Sequence, residues 1–137
     1  MSDNDALELA RTWVRFAESD LRTGRLILDH LAEDSRQAGF HAQQAVEKVL
    51  KAAIVFVQGT DPPRTHDIGA LVNALPAGWA VHQLSSELRG LTIWVGMGRY
   101  PDVVLTPSPA AARAALEVAI KAVSAVVADL RLAGYKL

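Results

Sequence analysis

Apolar residues recur every three or four positions at both ends of this chain, and this spacing constrains the fold more than any other feature. One face of an α-helix repeats about every 3.6 residues, whereas no stretch here keeps the two-residue period of a strand. The two rows are Leu7, Ala10, Val14, Ala17, Leu21, Gly24, Leu28, Leu31 and Ala112, Leu116, Ala119, Val123, Val126, Leu130, Ala133. The pattern predicts helices that pack nearly antiparallel.

Capping residues, glycines and prolines divide the chain into five predicted helices. Ser2 with Asp5 three residues later predicts the first helix start, and Gly59 predicts the end of the second. Thr65 is expected to cap a short third helix, and Pro109 suits the first turn of the last. The predicted helices cover 4–32, 37–58, 67–75, 82–95 and 108–133. We therefore predict an all-α fold, an up-and-down bundle of four long helices plus one short helix, in a single domain over 1–137.

Composition excludes several classes of function. The chain has 14 basic and 15 acidic residues, which disfavours extended nucleic-acid binding through phosphate neutralisation. It has no cysteine, so disulfides and thiolate metal sites are excluded. The histidines lack the close paired spacing of a helical metal site, and no phosphate-binding glycine loop occurs. We expect neither a metal nor a cofactor.

The chain carries no signal of membrane insertion or export. Its first residues, MSDNDALELA, are acidic where a signal peptide needs positive charge. Its longest uninterrupted apolar run, 52–57, is far too short to span a bilayer. We expect a soluble cytoplasmic protein without membrane contact.

The predicted second helix carries a polar stripe within HAQQAVEKVLKA. At about 100° per residue, His41, Gln44, Lys48 and Lys51 fall within an arc of about 80°. The opposite side is apolar and predicts the core face. Taken alone, the stripe fits both an anion site and a solvated face.

Two further polar stretches flank predicted helix ends. RTHD at 64–67 begins the short third helix, and RYPD at 99–102 follows the fourth. Each has an ordinary explanation, since Thr-His-Asp suits helix capping and a residue before proline leaves the helical region. Taken singly, neither stretch indicates a site.

Together, the three stretches resemble the HEPN domain family. HAQQAVEKVLKA, RTHDIGALV and RYPD occur in that family's order, and Trp13 with Asp20-Leu21 fits its opening pattern. The resemblance extends from Trp13 to the end of the last helix. It implies a bundle of four or five helices that is often dimeric. It also implies a partner, a small nucleotidyltransferase, in a two-component or toxin–antitoxin system, and nucleotide binding.

A branch of that family consists of metal-independent ribonucleases with an Arg-x4–6-His motif near the fourth helix. The corresponding arginine here is Arg99, but no histidine follows it. Two other pairs match the spacing of this motif, Arg25 with His30 and Arg36 with His41. Neither pair lies near the fourth helix, where the family has the motif. The resemblance therefore favours a binding module over an enzyme. The alternative is a ribonuclease toxin with a shifted site, such as Arg99 with His66 or His41.

The resemblance gives a candidate set for binding a nucleotide, a short RNA or a partner's acidic residue. Its donors outnumber the acidic residues nearby, so an anion would complete it with charge-assisted hydrogen bonds. The candidates are Gln44, Lys48, Lys51, His66, Arg99 and Tyr100. Three acidic residues are expected as structural partners, with Asp67 and Asp102 preferred for Lys48. These partners are Glu47, Asp67 and Asp102.

We also predict a homodimer, because the helices carry more small apolar residues than one bundle must bury. The residues behind this prediction are Ala42, Ala45, Ala53, Ala112, Ala115, Ala119 and Ala122.

Overall fold

The computed structural model describes residues 1–97 and 107–136, apart from the side chains of residues 96 and 97. Its helices are α1 (Asp3–His30), α2 (Ser35–Gln58), α3 (Ile68–Asn73), α4 (Ser85–Arg89), α5 (Ile93–Met97) and α6 (Pro109–Leu132). Short 3-10 segments lie at Ala32–Asp34, Ala80–Leu84 and Gly90–Thr92. The described residues form no strand, and the predicted all-α bundle is confirmed. None of the helices in these ranges is long and apolar enough to cross a membrane.

Local capping chemistry sets the ends of the long helices. Ser2 and Asp5 form a capping box, in which the Ser2 hydroxyl accepts from the Asp5 backbone N–H at 3.0 Å. Gly59 ends α2 with φ of 66°, a left-handed conformation that glycine adopts without strain. Pro109 lies in the first turn of α6, after the capping Ser108. All three ends follow from residues that are neighbours in the sequence.

The start of α3 differs from the prediction. The N-cap is Asp67, whose carboxylate accepts from the Ala70 backbone N–H at 3.2 Å. The Thr65 hydroxyl instead accepts from the Asp67 N–H, at 3.1 Å. The expected capping role of Thr65 is therefore wrong, and helix α3 begins only at Ile68.

The helix predicted over 82–95 is a series of short helical pieces between Ala80 and Met97, in which α4 and α5 alternate with 3-10 segments. Gly90 lies at the junction after α4, and the β-branched Thr92 and Ile93 follow it. These residues favour an α-helix less than alanine or leucine does. The Asp129 carboxylate on α6 supports the first piece, since it accepts from the backbone N–H groups of Ala80 and Val81 at 3.2 and 3.4 Å.

Helix α2 occupies the centre of the bundle and packs against both α1 and α6. The seven alanines behind the homodimer prediction are all buried within this one chain. That basis for the prediction is therefore wrong, because close packing of α2 and α6 already uses these residues. Gly39 lets α2 pack tightly against α5, since a Cβ at this position would lie 2.0 Å from Cε3 of the buried Trp94.

Candidate functional site

A first carboxylate centre joins α1 to α2. The Asp20 carboxylate lies 2.8 Å from His41 Nδ1 through Oδ1 and 2.6 Å from Lys48 Nζ through Oδ2. Both partners lie on α2, and their side chains are 27% and 26% exposed. A carboxylate only accepts hydrogen bonds, so His41 Nδ1 carries the proton in this contact. We name this group the Asp20 centre.

A second carboxylate centre joins α2 to the connection before α3. Glu47 Oε1 accepts from Lys51 Nζ at 3.0 Å and lies 2.6 Å from His66 Nδ1. Glu47 Oε2 accepts weaker hydrogen bonds from the side-chain amides of Gln43 and Gln44, at 3.3 and 3.4 Å. We name this group the Glu47 centre.

The members of the Glu47 centre differ in how deeply they are buried. The side chains of Glu47 and Lys51 are only 5% and 9% exposed, whereas that of His66 is 64% exposed. His66 therefore lies at the surface while a buried carboxylate holds its ring through Nδ1. The other ring nitrogen, Nε2, makes no hydrogen bond within the described residues.

Both carboxyl groups stay ionised. Burial raises the pKa of the Asp20 carboxyl, but hydrogen bonds from His41 and Lys48 outweigh it and hold the pKa below its usual value. For Glu47, burial likewise raises the pKa, and the hydrogen bonds from Lys51 and His66 bring it below the usual value. Each centre is therefore a charged, hydrogen-bonded group at neutral pH.

Aromatic side chains border the two centres. The Lys51 ammonium lies 5.8 Å from the centre of the Trp13 ring, within range of a cation–π contact. The Trp13 ring nitrogen is buried and has no hydrogen-bond partner in the part of the chain that the structure describes. Phe40 meets the His41 ring edge-on, with ring centres 5.8 Å apart. These contacts fix where the lysine and imidazole groups point.

The structure brings together four of the six predicted binding residues, Gln44, Lys48, Lys51 and His66, along one side of α2. Arg99, Tyr100 and Asp102 lie outside the described residues. The expected pairing of Lys48 with Asp67 is wrong, because Lys48 pairs with Asp20 while Asp67 caps α3. Glu47 pairs with Lys51 and His66.

Sequence reasoning missed Asp20 and Gln43 as members of the site. Asp20 is buried between the core positions Ala17 and Gly24 of α1, at spacings of three and four. An acidic residue in an apolar row signals a paired charge, because a buried lone carboxylate is very costly. This signal was present in the sequence of α1. The partners of Asp20, which are His41 and Lys48 on α2, could not be identified from α1 alone.

The shifted pairs that include Arg99 lie outside the described residues, and the two spacing matches, Arg25 with His30 and Arg36 with His41, have no hydrogen bond between their members within those residues. Arg25, His30 and Arg36 are exposed, and His41 is bound to Asp20. Among the residues that the structure describes, no group of three or more potential ligands is placed to hold a metal ion. The two carboxylate centres are thus the main polar constellation of the described chain.

Fold and site together define a class: a small helical bundle whose central helix carries two lysines, each paired with a carboxylate that also binds a histidine. One of these carboxylates lies on α1 and the other on α2. The sequence model of the family described as HEPN domain matches residues 10–130. Since that match covers most of the chain, the chain belongs to the HEPN domain family. The family expected from the resemblance is therefore confirmed.

Two crystal structures are similar to this chain. TT1696 from Thermus thermophilus is 28% identical with a TM-score of 0.76, over 88% of this chain and 98% of that one. ST0689, described as an archaeal HEPN homologue, is 26% identical with a TM-score of 0.65, over 88% of this chain and 97% of that one. No curated protein sequence gave a match.

Proposed function

We propose that this chain is the binding module of a two-component, toxin–antitoxin-like pair. Its ligand is the phosphate of a nucleotide, or an acidic side chain of a small nucleotidyltransferase partner. The observation that carries the proposal is the row of carboxylate-anchored lysine and histidine groups along α2. Membership of the HEPN family supports the choice of partner.

The Asp20 centre has hydrogen-bond donors left for a ligand. An ammonium group has three N–H donors, and in the described residues Lys48 gives one of them to Asp20. The Lys48 side chain is 26% exposed, so its other donors reach solvent. A phosphate oxygen at this position gains charge-assisted hydrogen bonds without breaking the ion pair.

The anchoring carboxylates make these donors rigid. Lys48 loses much of its rotamer freedom when it binds Asp20, and Asp20 is in turn fixed by His41. A donor already held in place costs less entropy when a ligand arrives. Gln44 lies within the same polar row, with its amide nitrogen held 2.7 Å from Gln43 Oε1. Its amide oxygen is the part that remains to accept from a ligand hydroxyl or amine.

Calorimetric titration with ATP, and with a small nucleotidyltransferase from a neighbouring reading frame, tests the proposal. We expect wild type to bind at least one of them, and Lys48→Met and Arg99→Ala to weaken that binding about tenfold or more. Arg36→Ala is the matched control, since Arg36 is an exposed arginine at the start of α2 whose loss changes the net charge equally. If wild type binds neither ligand, or the site variants bind as tightly as the control, the proposal fails.

A second function, the metal-independent ribonuclease toxin, is favoured by one observation. His66 is exposed and oriented by the buried Glu47, an arrangement that suits a general base. Against it, the family's usual histidine after Arg99 is missing. A general acid–base group contributes about 10²- to 10⁴-fold to a rate, so we expect cleavage to be absent or very weak.

Incubation of the pure protein with mixed-sequence single-stranded RNA, without metal, separates the two functions. Robust cleavage that disappears in His66→Ala or His41→Ala establishes the ribonuclease and overturns the module. His82→Ala is the control histidine, because His82 contacts the backbone carbonyls of Leu75 and Pro76, away from both centres.

The homodimer remains part of the proposal, with different support. The described chain leaves large apolar side chains outside α1 and α6 exposed, among them Ile93 and Val57. Sedimentation equilibrium at tens of micromolar is the test. A single species at the monomer mass of 14.7 kDa would overturn the dimer.

A further inference from the structure

Helices α1 and α6 contact each other on one side of the bundle. Arg25 and Asp29 of α1 line the same cleft as Arg113 and Glu117 of α6. At the opposite end of the bundle, Arg11 Nε donates to the Lys136 carbonyl at 2.8 Å. The two helices therefore run antiparallel: they meet at the Arg25 end, and the segment after α6 reaches α1 at the Arg11 end. We name their outward side, from Glu8 to Asp29 and from Arg113 to Lys136, the α1–α6 face.

Basic residues are concentrated on the α1–α6 face. Its eight basic residues are Arg11, Arg15, Arg22, Arg25, Arg113, Lys121, Arg131 and Lys136. Its four acidic residues are Glu8, Glu18, Asp29 and Glu117. The face thus has a formal charge of +4, while the rest of the chain, with six basic and eleven acidic residues, has −5. The net charge of the whole chain, −1, does not reveal this separation of charge.

Most of these cations have no ion-pair partner among the residues that the structure describes. Within the described residues, Arg11 with Glu8 is the one ion pair on the face. The other seven basic residues are exposed. Their charges are therefore available to an external anion, and burial costs do not oppose binding.

The shape of the face suits a linear polyanion. Arg11 and Arg25 are separated by about 21 Å along the axis of α1, and the cations between and beside them follow a straight helix. The cleft at the Arg25 end is lined mainly by charged side chains, so it offers no apolar pocket for the anchor residue of a folded partner. Six of the eight cations are arginines, which bind phosphate oxygens in pairs.

We propose that the α1–α6 face binds the phosphate backbone of a nucleic-acid strand without reading its sequence. This proposal departs from the expectation drawn from net charge, because such binding depends on the local arrangement of charge as well as on the total. The face is distinct from the polar row on α2. Asp20 precedes Arg22 by two residues, which places it about 200° around α1.

Fluorescence anisotropy with labelled 20-nucleotide oligo(U) and oligo(dT) tests this proposal in the full chain. We expect both oligomers to bind within a few-fold of each other and to weaken steeply as salt rises. The triple variant Arg15→Ala, Arg22→Ala, Arg25→Ala should bind about tenfold more weakly and reduce the slope against log salt by about 2. These three side chains are exposed and make no ion pair in the described residues, so the fold should be retained.

Matched controls make the test decisive. Arg36→Ala, Arg64→Ala, Arg89→Ala removes three exposed arginines elsewhere and should leave binding unchanged. Equal weakening by the two triple variants, no binding by wild type at 50 mM salt, or equally tight binding of a poly-glutamate of the same length would overturn the proposal.

Discussion

The Asp20 and Glu47 centres contain the same chemical groups in different surroundings. Each has one carboxylate, one lysine and one histidine held through Nδ1. In the Asp20 centre the carboxylate on α1 holds two half-buried partners on α2, so the centre ties two helices together. In the Glu47 centre the carboxylate and lysine are both buried on α2, and only the histidine is exposed. The same kinds of group therefore tie two helices together in the Asp20 centre and present an exposed histidine in the Glu47 centre.

The largest expected effect comes from removing the buried carboxylate. Glu47→Ala leaves the Lys51 ammonium buried without its ion-pair partner, which costs about 3–5 kcal/mol of unfolding free energy. Urea denaturation measures the loss. Glu117→Ala, an exposed carboxylate on α6, is the control and should change stability by less than about 0.5 kcal/mol.

The double variant Glu47→Ala, Lys51→Met sharpens this prediction. It removes the orphaned ammonium together with its partner, so it should be more stable than Glu47→Ala alone. A double variant as unstable as the single one would show that lost packing, and not the unpaired charge, causes the destabilisation.

Asp20→Ala should cost less, about 1–2 kcal/mol, because water can solvate the half-buried Lys48 and His41 once they lose their partner. The same denaturation experiment measures it. A loss as large as that of Glu47→Ala would mean that burial does not distinguish the two centres.

Acid should weaken the fold through both centres. The folded pKa of each carboxyl lies below its usual value, so each contributes stability that is present above about pH 5. That contribution is lost as pH falls below about 4 and through the folded pKa. Unfolding free energies at pH 6 and pH 3 should therefore differ less in Asp20→Asn and in Glu47→Gln than in wild type. An unchanged difference in both variants would contradict the pKa assignment.

The smallest expected effect is that of His66→Ala. Its ring is mostly exposed, and Glu47 keeps Lys51 and both glutamine amides as partners after the ring is removed. We expect a loss of less than about 1 kcal/mol by urea denaturation. A loss of about 3 kcal/mol or more would show that the histidine is an essential part of the core.

Features encoded by neighbouring residues were predictable from the sequence. The capping box at Ser2 and the glycine at the end of α2 depend on residues within one turn, so the long helices were placed to within two residues. The fourth helical region was not predicted correctly. Its alternation of α and 3-10 turns depends on packing and on the Asp129 carboxylate from α6.

The site was predictable only in part. The α2 stripe gave Gln44, Lys48 and Lys51, because their shared direction follows from helix geometry. The need of Lys48 for a carboxylate partner was also predicted, but the partner was not. Asp20 is 28 residues away in the sequence and becomes a neighbour only when α1 packs on α2. Pairing across a helix interface depends on register, which local patterns do not contain.

The central position of α2 has a consequence for synthesis of the chain. Helices α1 and α2 are close in sequence and can form a hairpin early, but α6 ends at Leu132, 74 residues after Gln58. At translation rates of about 5–20 residues per second, that interval lasts about 4–15 s. Throughout it, the side of α2 that packs against α6 lacks that helix on the ribosome. We therefore expect nascent chains that stop before α6 to be the species that chaperones bind and proteases degrade.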